Sequence, residues 1–356
     1  MFILLSGSNE YFPYAIPCLP GKRLAIEKQK DQMKKIVILL LKGANLSSIE
    51  NPRQGFEEAN AYLVNSSRAP LFDIQLAALE PRVQLNNGLY EVQAHQLVHT
   101  IKKADLILIP ALQEPVATYV QENQAIIPWL LQQYRSGAEI ASLCMGAFLL
   151  AATGLLDNKN CVTHWKAGNQ FSQLFPKVRL LTDKILTDEN GVYTSSGAYS
   201  ASNLILYLIE KYAGREVAIY CSKYFQIDIQ RSSQSPFIIF SGMKDHNDDA
   251  IREAQEYIEK NFEERLPVDT LCERFAIGRR TFERRFKKAT TNTIVEYIQK
   301  VKIEAAKKLL EQGRKTIQEI MYDVGYNDVK AFRDVFKKIT GMTPVDYKLK
   351  YEKINV

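Results

Sequence analysis

The sequence predicts a doubly wound, mostly parallel α/β sheet followed by an all-α domain built from a duplicated helical unit. Three observations carry that expectation. Between Ile36 and about Phe225, short apolar runs alternate with longer amphipathic ones, the pattern of strands separated by helices. Beyond a polar connector at Gly242 to Ala250 the strand-like runs stop and only helical periods remain. Within that last part FERRFKKAT, at 282–290, returns fifty residues later as FRDVFKKIT, at 332–340.

Composition bounds the class. The 356 residues are 46% apolar, enough for a core in each of two domains. The longest nearly unbroken apolar stretch, Met145 to Leu156, falls short of the roughly 18 to 20 residues a bilayer requires. Cys18, Cys144, Cys161, Cys221 and Cys272 are scattered, odd in number and without zinc spacing. A cytoplasmic protein is therefore expected, with no membrane partner, metal or cofactor.

Taken in order, residues 1–32 show no sustained period and Met1 to Leu5 has no basic lead, so it makes a poor signal peptide. They are expected to be an unstructured or mis-annotated extension, with Met33, at the head of MKKIVILLL, as the true start. IVILLL (36–41), LILIP (106–110) and EIASLC (139–144) read as strands buried on both faces. Helices are expected over Ala117 to Arg135 and Ala198 to Tyr212. The Asp and Asn residues of the connector suit a helix cap. The expected division is a first domain at 33–240, a linker at 241–250 and a second domain at 251–356.

In each copy of the repeat two Phe residues lie four apart, Phe282 with Phe286 and Phe332 with Phe336, and so share one buried helical face. The opposite face carries Arg279, Arg280, Glu283, Arg284 and Lys287 in the first copy, with Thr281 and Lys288 as further candidate contacts. In the second it carries Asn327, Lys330, Arg333, Asp334 and Lys337, with Lys338 as a further candidate. A shorter amphipathic stretch precedes each copy, Val268 to Arg274 and Ile317 to Asp323, joined by FAIG or VGYN. Two helices and a turn, the second helix basic outside, are the parts of a helix-turn-helix reader. Between the units Ile294, Ile298, Val301, Ala305 and Leu309 form one stripe of a single helix, about 27 Å long at 1.5 Å per residue. That rod holds two readers about one turn of duplex DNA apart.

Charge agrees with this reading. Residues 1–249 hold 23 basic and 23 acidic residues, whereas 250–356 hold 23 and 17. Arg and Lys suit guanine edges and Asn suits adenine, while Lys287, Lys288, Lys337 and Lys338 suit phosphates.

RRTFERRFKKAT and IQEIMYDVGYNDVKAFRDVFKKITGMTP resemble the two recognition segments of the AraC/XylS family of transcription regulators, a resemblance running from about Ala250 to Tyr351. It departs from the family pattern at Thr291 and Ile294, where Gly and Pro are usual, at Met321 in place of a small Ala, and at Asp334 in place of Arg. LKGA (41–44), ADLILIPAL, the ASLCMG elbow, THW (163–165) and TSSGAYSASNLILYLIE resemble the PfpI/ThiJ branch of the class I glutamine amidotransferase-like fold. The two together are the layout of GlxA-like regulators. The resemblance implies a flavodoxin-like, amidotransferase-like first domain that senses a small-molecule effector or dimerises. It also implies sequence-specific binding of a promoter duplex, usually as a homodimer, with RNA polymerase as partner for an activator.

Cys144 stands at a strand-to-helix elbow, a place that can expose a thiol to the positive end of a helix dipole and acidify it. Against enzymatic relatives, however, Ser48 stands where they hold a glutamate and Met145 where a histidine is common, and Glu50 points elsewhere. Ser48, Cys144, Met145 and His164 are therefore expected to line a ligand pocket rather than to catalyse. The alternative is a cysteine hydrolase or amidase tethered to DNA. His95 and His99, four apart, lack a third metal ligand nearby, and RSSQSPF (231–237) is expected to be structural.

Overall fold

The computed structural model describes residues 33–352, apart from Gln230 and Asp245; the expectation for residues 1–32 lies outside them. Eleven strands are described: β1 (Lys34–Leu39), β2 (Phe72–Ala78), β3 (Arg82–Leu85), β4 (Tyr90–Gln93), β5 (Gln96–Leu97), β6 (Leu106–Ile109), β7 (Glu139–Leu143), β8 (Asn160–Cys161), β9 (Arg179–Leu180), β10 (Leu186–Asp188) and β11 (Val192–Ser195). Seven of them form one sheet in the order β10-β11-β7-β6-β1-β2-β5. Its pairs are parallel except β10 with β11. In β1, Ile36 to Leu39 are all fully buried. Successive side chains point to opposite faces, so both faces of the sheet are covered.

The covering helices are α1 (Ser47–Asn65), α2 (Val116–Glu122), α3 (Ile127–Arg135), α4 (Ala147–Ala152), α5 (Gly168–Leu174), α6 (Ala201–Ala213) and α7 (Arg215–Tyr224). The single helix expected over 117–135 is two. It breaks at Asn123, whose side chain accepts from Lys42 N at 3.0 Å and donates to Lys42 O at 2.9 Å. The amide thereby ties the end of α2 to the loop after β1, and Pro128 sits at the start of the next helix. His95 and His99 share no helical face: His95 precedes β5 and its Nδ1 accepts from Leu76 N at 3.1 Å, while His99 lies in a 3₁₀ turn. No group of three metal-ligating side chains occurs among the described residues. Nor is any helix there long and apolar enough to cross a membrane.

The rest is helical: α8 (Asp249–Lys260), α9 (Val268–Arg274), α10 (Arg279–Thr290), α11 (Ile294–Gln312), α12 (Ile317–Asp323), α13 (Val329–Thr340) and α14 (Pro344–Tyr351). Two small cores lie along it, one around Phe282 and Phe286, the other around Phe332 and Phe336. The predicted stripe on α11 is present along the whole helix, with Val301, Ala305 and Leu309 partly buried against the two cores, but it is not where burial is deepest. Ile294 and Ile298 are buried, but farther along burial moves to Ile303, Ala306 and Leu310, accompanied by Lys302, Glu304 and Lys307. The helix serves two cores in succession, so its buried face turns along its length.

Candidate nucleic-acid interface and cysteine elbow

The two helix-turn-helix units are built alike to the level of single bonds. In the first, Phe275, Phe282, Phe286 and Tyr297 pack ring against ring in series. In the second, Tyr326, Phe332, Phe336 and Tyr347 do the same. Thr290 Oγ1 donates to Phe286 O at 2.8 Å and Thr340 Oγ1 to Phe336 O at 2.8 Å. Each second helix is therefore clamped by its inner face, which fixes what its outer face presents.

The turns differ where the sequences differ. Val324 ends α12 and Gly325 follows at φ 71°, where an added Cβ would run into Glu263 O. Its counterpart after α9 is Ala276, held at φ 50°. After α13 the chain turns through Gly341 at φ 74°, but after α10 through Thr291 at φ 61°, a left-handed conformation costly to a β-branched residue.

Arg279, Arg280, Thr281, Arg284, Lys287 and Lys288 are all exposed on α10, and Lys330, Arg333, Lys337 and Lys338 on α13, with Asn327 in the turn before it. Arg279 is not free of partners: it bonds Glu283 at 3.1 Å and Asp269 at 2.9 Å, and the two carboxylates push its guanidinium's pKa up. Arg285, in the same basic run, is turned sideways. It grips Asp248 through two bonds of 2.9 and 2.6 Å, and Asp248 caps α8. Asp334 is exposed between Arg333 and Lys337. Lys338 also lines a cleft of about 550 Å³ between the sheet region and the helices, with Trp165, Lys166 and Lys300.

α11 spans 19 residues, about 28 Å at 1.5 Å per residue. A capping box between Thr293 and Glu296 starts it and Gly313, at φ 72°, ends it. Near its middle Lys302 is buried and donates to Val324 O at 2.9 Å and Glu264 O at 3.3 Å. One ammonium thus fastens the turn after α12 to the segment after α8, and burial lowers its pKa. No pattern in the sequence singled it out, because its acceptors, Gly325 O at 3.4 Å included, are backbone atoms from distant segments.

At the elbow, Cys144 takes φ 54° and begins a 3₁₀ turn before α4. A Cβ on Gly146 would collide with Pro110 O, so glycine is what lets β6 and the elbow approach. The exposure and acidification that such an elbow can give are absent here, in line with a cysteine not expected to catalyse. Cys144 is 4% exposed and burial pushes its thiol up to about 11, with only the Met145 N–H opposing. A short turn into a six-residue helix offers less dipole than desolvation takes away.

Ser48 is satisfied within the loops, donating to Asn45 O at 2.6 Å and accepting from Ala111 N at 3.0 Å. Those bonds tie the loops after β1 and β6 together at the point where strand order reverses and such folds usually bind ligands. Glu50 bonds Arg53, which lowers its pKa. Met145 is partly buried against the core. His164 is half-buried; its Nδ1 accepts from Lys166 N at 3.1 Å, and burial, then Lys166, lower its pKa. Thr163 rather than His164 reaches the elbow, its hydroxyl donating to Cys144 O at 3.0 Å.

The DJ-1/PfpI family model matches residues 34–211, and a helix-turn-helix domain model matches 271–350. HTH-type transcriptional regulator GbdR of Pseudomonas aeruginosa is 28% identical over 221 residues, 62% of this chain and 60% of its own length. The chain spans 65% of the length of ArgR, an HTH-type transcriptional regulator of the same organism, at 27% identity over 60% of this chain. HTH-type transcriptional regulator GlxA of Rhizobium meliloti is 23% identical over 90% of this chain and 97% of its own. Among solved structures, DJ-1β of Drosophila melanogaster is 18% identical, covering 55% of this chain and 99% of that one with a TM-score of 0.47. An AraC family transcriptional regulator from Pseudomonas putida is 21% identical, covering 54% and 99%, with a TM-score of 0.45.

Proposed function

We propose that this chain, which belongs to the DJ-1/PfpI family, is a sequence-specific DNA-binding transcription regulator. Its two readers enter adjacent major-groove faces, and its first domain tunes them without catalysing. The observation that carries this is the pairing of cationic outer faces on α10 and α13, each clamped by the same aromatic series and joined by one rigid helix. The regulators GbdR, ArgR and GlxA support it. In this reading the first domain spans 33–240, the linker 241–250 and the reading domain 251–356. Arg280, Thr281, Arg284, Asn327, Lys330 and Arg333 address base edges; Arg279 leaves its carboxylates to join them, and Lys287, Lys288, Lys337 and Lys338 hold phosphates. The protein acts in the cytoplasm on a promoter duplex as a homodimer, with a small-molecule effector and, for activation, RNA polymerase as further partners. Dimerisation follows from specificity, since a single reading domain covers a short site.

Selecting bound sequences from random duplexes with the full chain tests the reading, and Arg284→Ala and Arg333→Ala refine it. Each substitution should weaken the selected site by about 1 to 3 kcal/mol and relax preference at one position. Enrichment of no motif would refute it. The left-handed backbone at Cys144 favours one second reading, a cysteine hydrolase, because nucleophile elbows are strained. The buried thiol and the serine at position 48 oppose it.

A further inference from the structure

We propose that residues 233–243 are a coupling strap and that Glu304 and Lys307 are the positioning residues that hold it to α11. Through it the elbow at Cys144 and the rod between the readers share one set of bonds. Its biological meaning rests on the DNA-binding reading; its test does not.

The first end is at the elbow. Ser233 forms a bridge with Lys184 and its hydroxyl donates to Asp183 O at 2.9 Å. Gln234 N donates to Asp183 O at 2.9 Å and its side-chain amide donates to Thr163 O at 3.4 Å. Thr163 in turn donates to Cys144 O. Cys144 holds a conformation that costs a non-glycine residue free energy, so its surroundings must impose it, and this bond is part of what does.

The second end is on the rod. Glu304 and Lys307 form a 2.8 Å ion pair whose side chains are 11% and 5% exposed. Removing two charges from water is costly unless their remaining hydrogen-bonding capacity is met. Here the strap meets it: Lys307 Nζ donates to Ile238 O at 2.6 Å, and Glu304 Oε2 accepts from Phe240 N at 3.0 Å. The Phe240 ring then packs edge-on against Tyr297 at 5.1 Å. Gln255 fixes the far end by donating to Met243 O at 2.8 Å.

Little slack separates the two ends. Three residues lie between Gln234 and Ile238, and Pro236 stiffens them within a 3₁₀ turn. That turn also packs on the end of α13, where Gly341 faces Ser233 and Ser235. A change at either attachment is therefore felt at the other, and equilibrium coupling runs equally in both directions.

The test labels the full-length protein with iodoacetamide and follows Cys144 and Cys221 by peptide mass spectrometry. Both thiols are buried and both are pushed up to about 11, and Cys221 on α7 has no bond to the strap among those described. Glu304→Leu with Lys307→Met removes both charges together and keeps the buried volume. In that variant the Cys144 to Cys221 rate ratio should rise about tenfold, the factor given by about 1.4 kcal/mol of lost restraint. Gln234→Ala, which strands no charge, should raise it in the same direction, and Lys307→Arg should leave it near the wild-type value. A ratio unchanged in Gln234→Ala, or two thiols accelerating together, overturns the strap. No DNA enters this measurement, so failure to bind duplex would refute the functional reading and leave the coupling to be judged by the ratio alone.

Discussion

Cys144 shows how a motif can be legible while its chemistry is not. The elbow's place after a buried strand could be read from ASLCMG, and the left-handed turn is there. The thiol's acidity depends instead on how much of the protein covers it, which is set by tertiary packing. Burial favours the neutral thiol, so the pKa moves up, and reactivity should climb with pH rather than level off near neutrality. Alkylation of Cys144 is expected to accelerate by about tenfold per pH unit from roughly pH 7 to 9.5; a plateau near pH 7 would reveal an activated nucleophile. Arg285 carries the same lesson for the basic run. Its neighbours point outward by helical spacing, but its partner Asp248 lies 37 residues away, beyond the reach of any local pattern.

Among the elements, the duplicated units were the most legible. The helices predicted at Val268 to Arg274 and Ile317 to Asp323 have those bounds: the second is started by a capping box of Thr316 and Glu319, the first follows Pro267, and both end in left-handed turns. The copies are not equally relaxed. Thr291 bears a left-handed backbone that Gly341 bears freely, and a left-handed residue other than glycine costs roughly 1 to 2 kcal/mol. Thr291→Gly should therefore stabilise the helical region by about 1 kcal/mol, and Gly341→Thr should destabilise it by a similar amount. Urea denaturation followed by helical ellipticity measures both. The rod α11 was legible as a helix but not as a surface. Its buried Lys302, Glu304 and Lys307 lie off the apolar stripe; Glu304 and Lys307 pair with each other, and all three bond backbone groups brought in by folding.

For the whole molecule, the uneven distribution of charge is the governing feature. The excess of basic over acidic residues falls entirely within 250–356, and exposed basic residues of that set lie on α10 and α13, among them Arg280, Arg284, Lys330 and Arg333. If about six phosphates are neutralised, affinity should fall on the order of a thousandfold between 50 and 200 mM salt. Fluorescence anisotropy of a labelled duplex across that range checks it, and a flat response would argue against phosphate contact by these faces. Residues 1–249 are balanced in charge and add no such attraction; under the proposed function, any tuning by the first domain would pass through packing and the segment that joins it to α11.

By itself the sequence determined the class of each half, the position of most elements and the outward basic faces. Those follow from periodicity, capping and charge, which act over a few residues. Only the tertiary structure decided that the thiol is covered, that Ser48 ties together the loops after β1 and β6, and that a buried ion pair on the rod receives the connecting segment. These depend on groups far apart in the chain meeting in a low-dielectric interior, where the cost of desolvation is set by neighbours that no local pattern names.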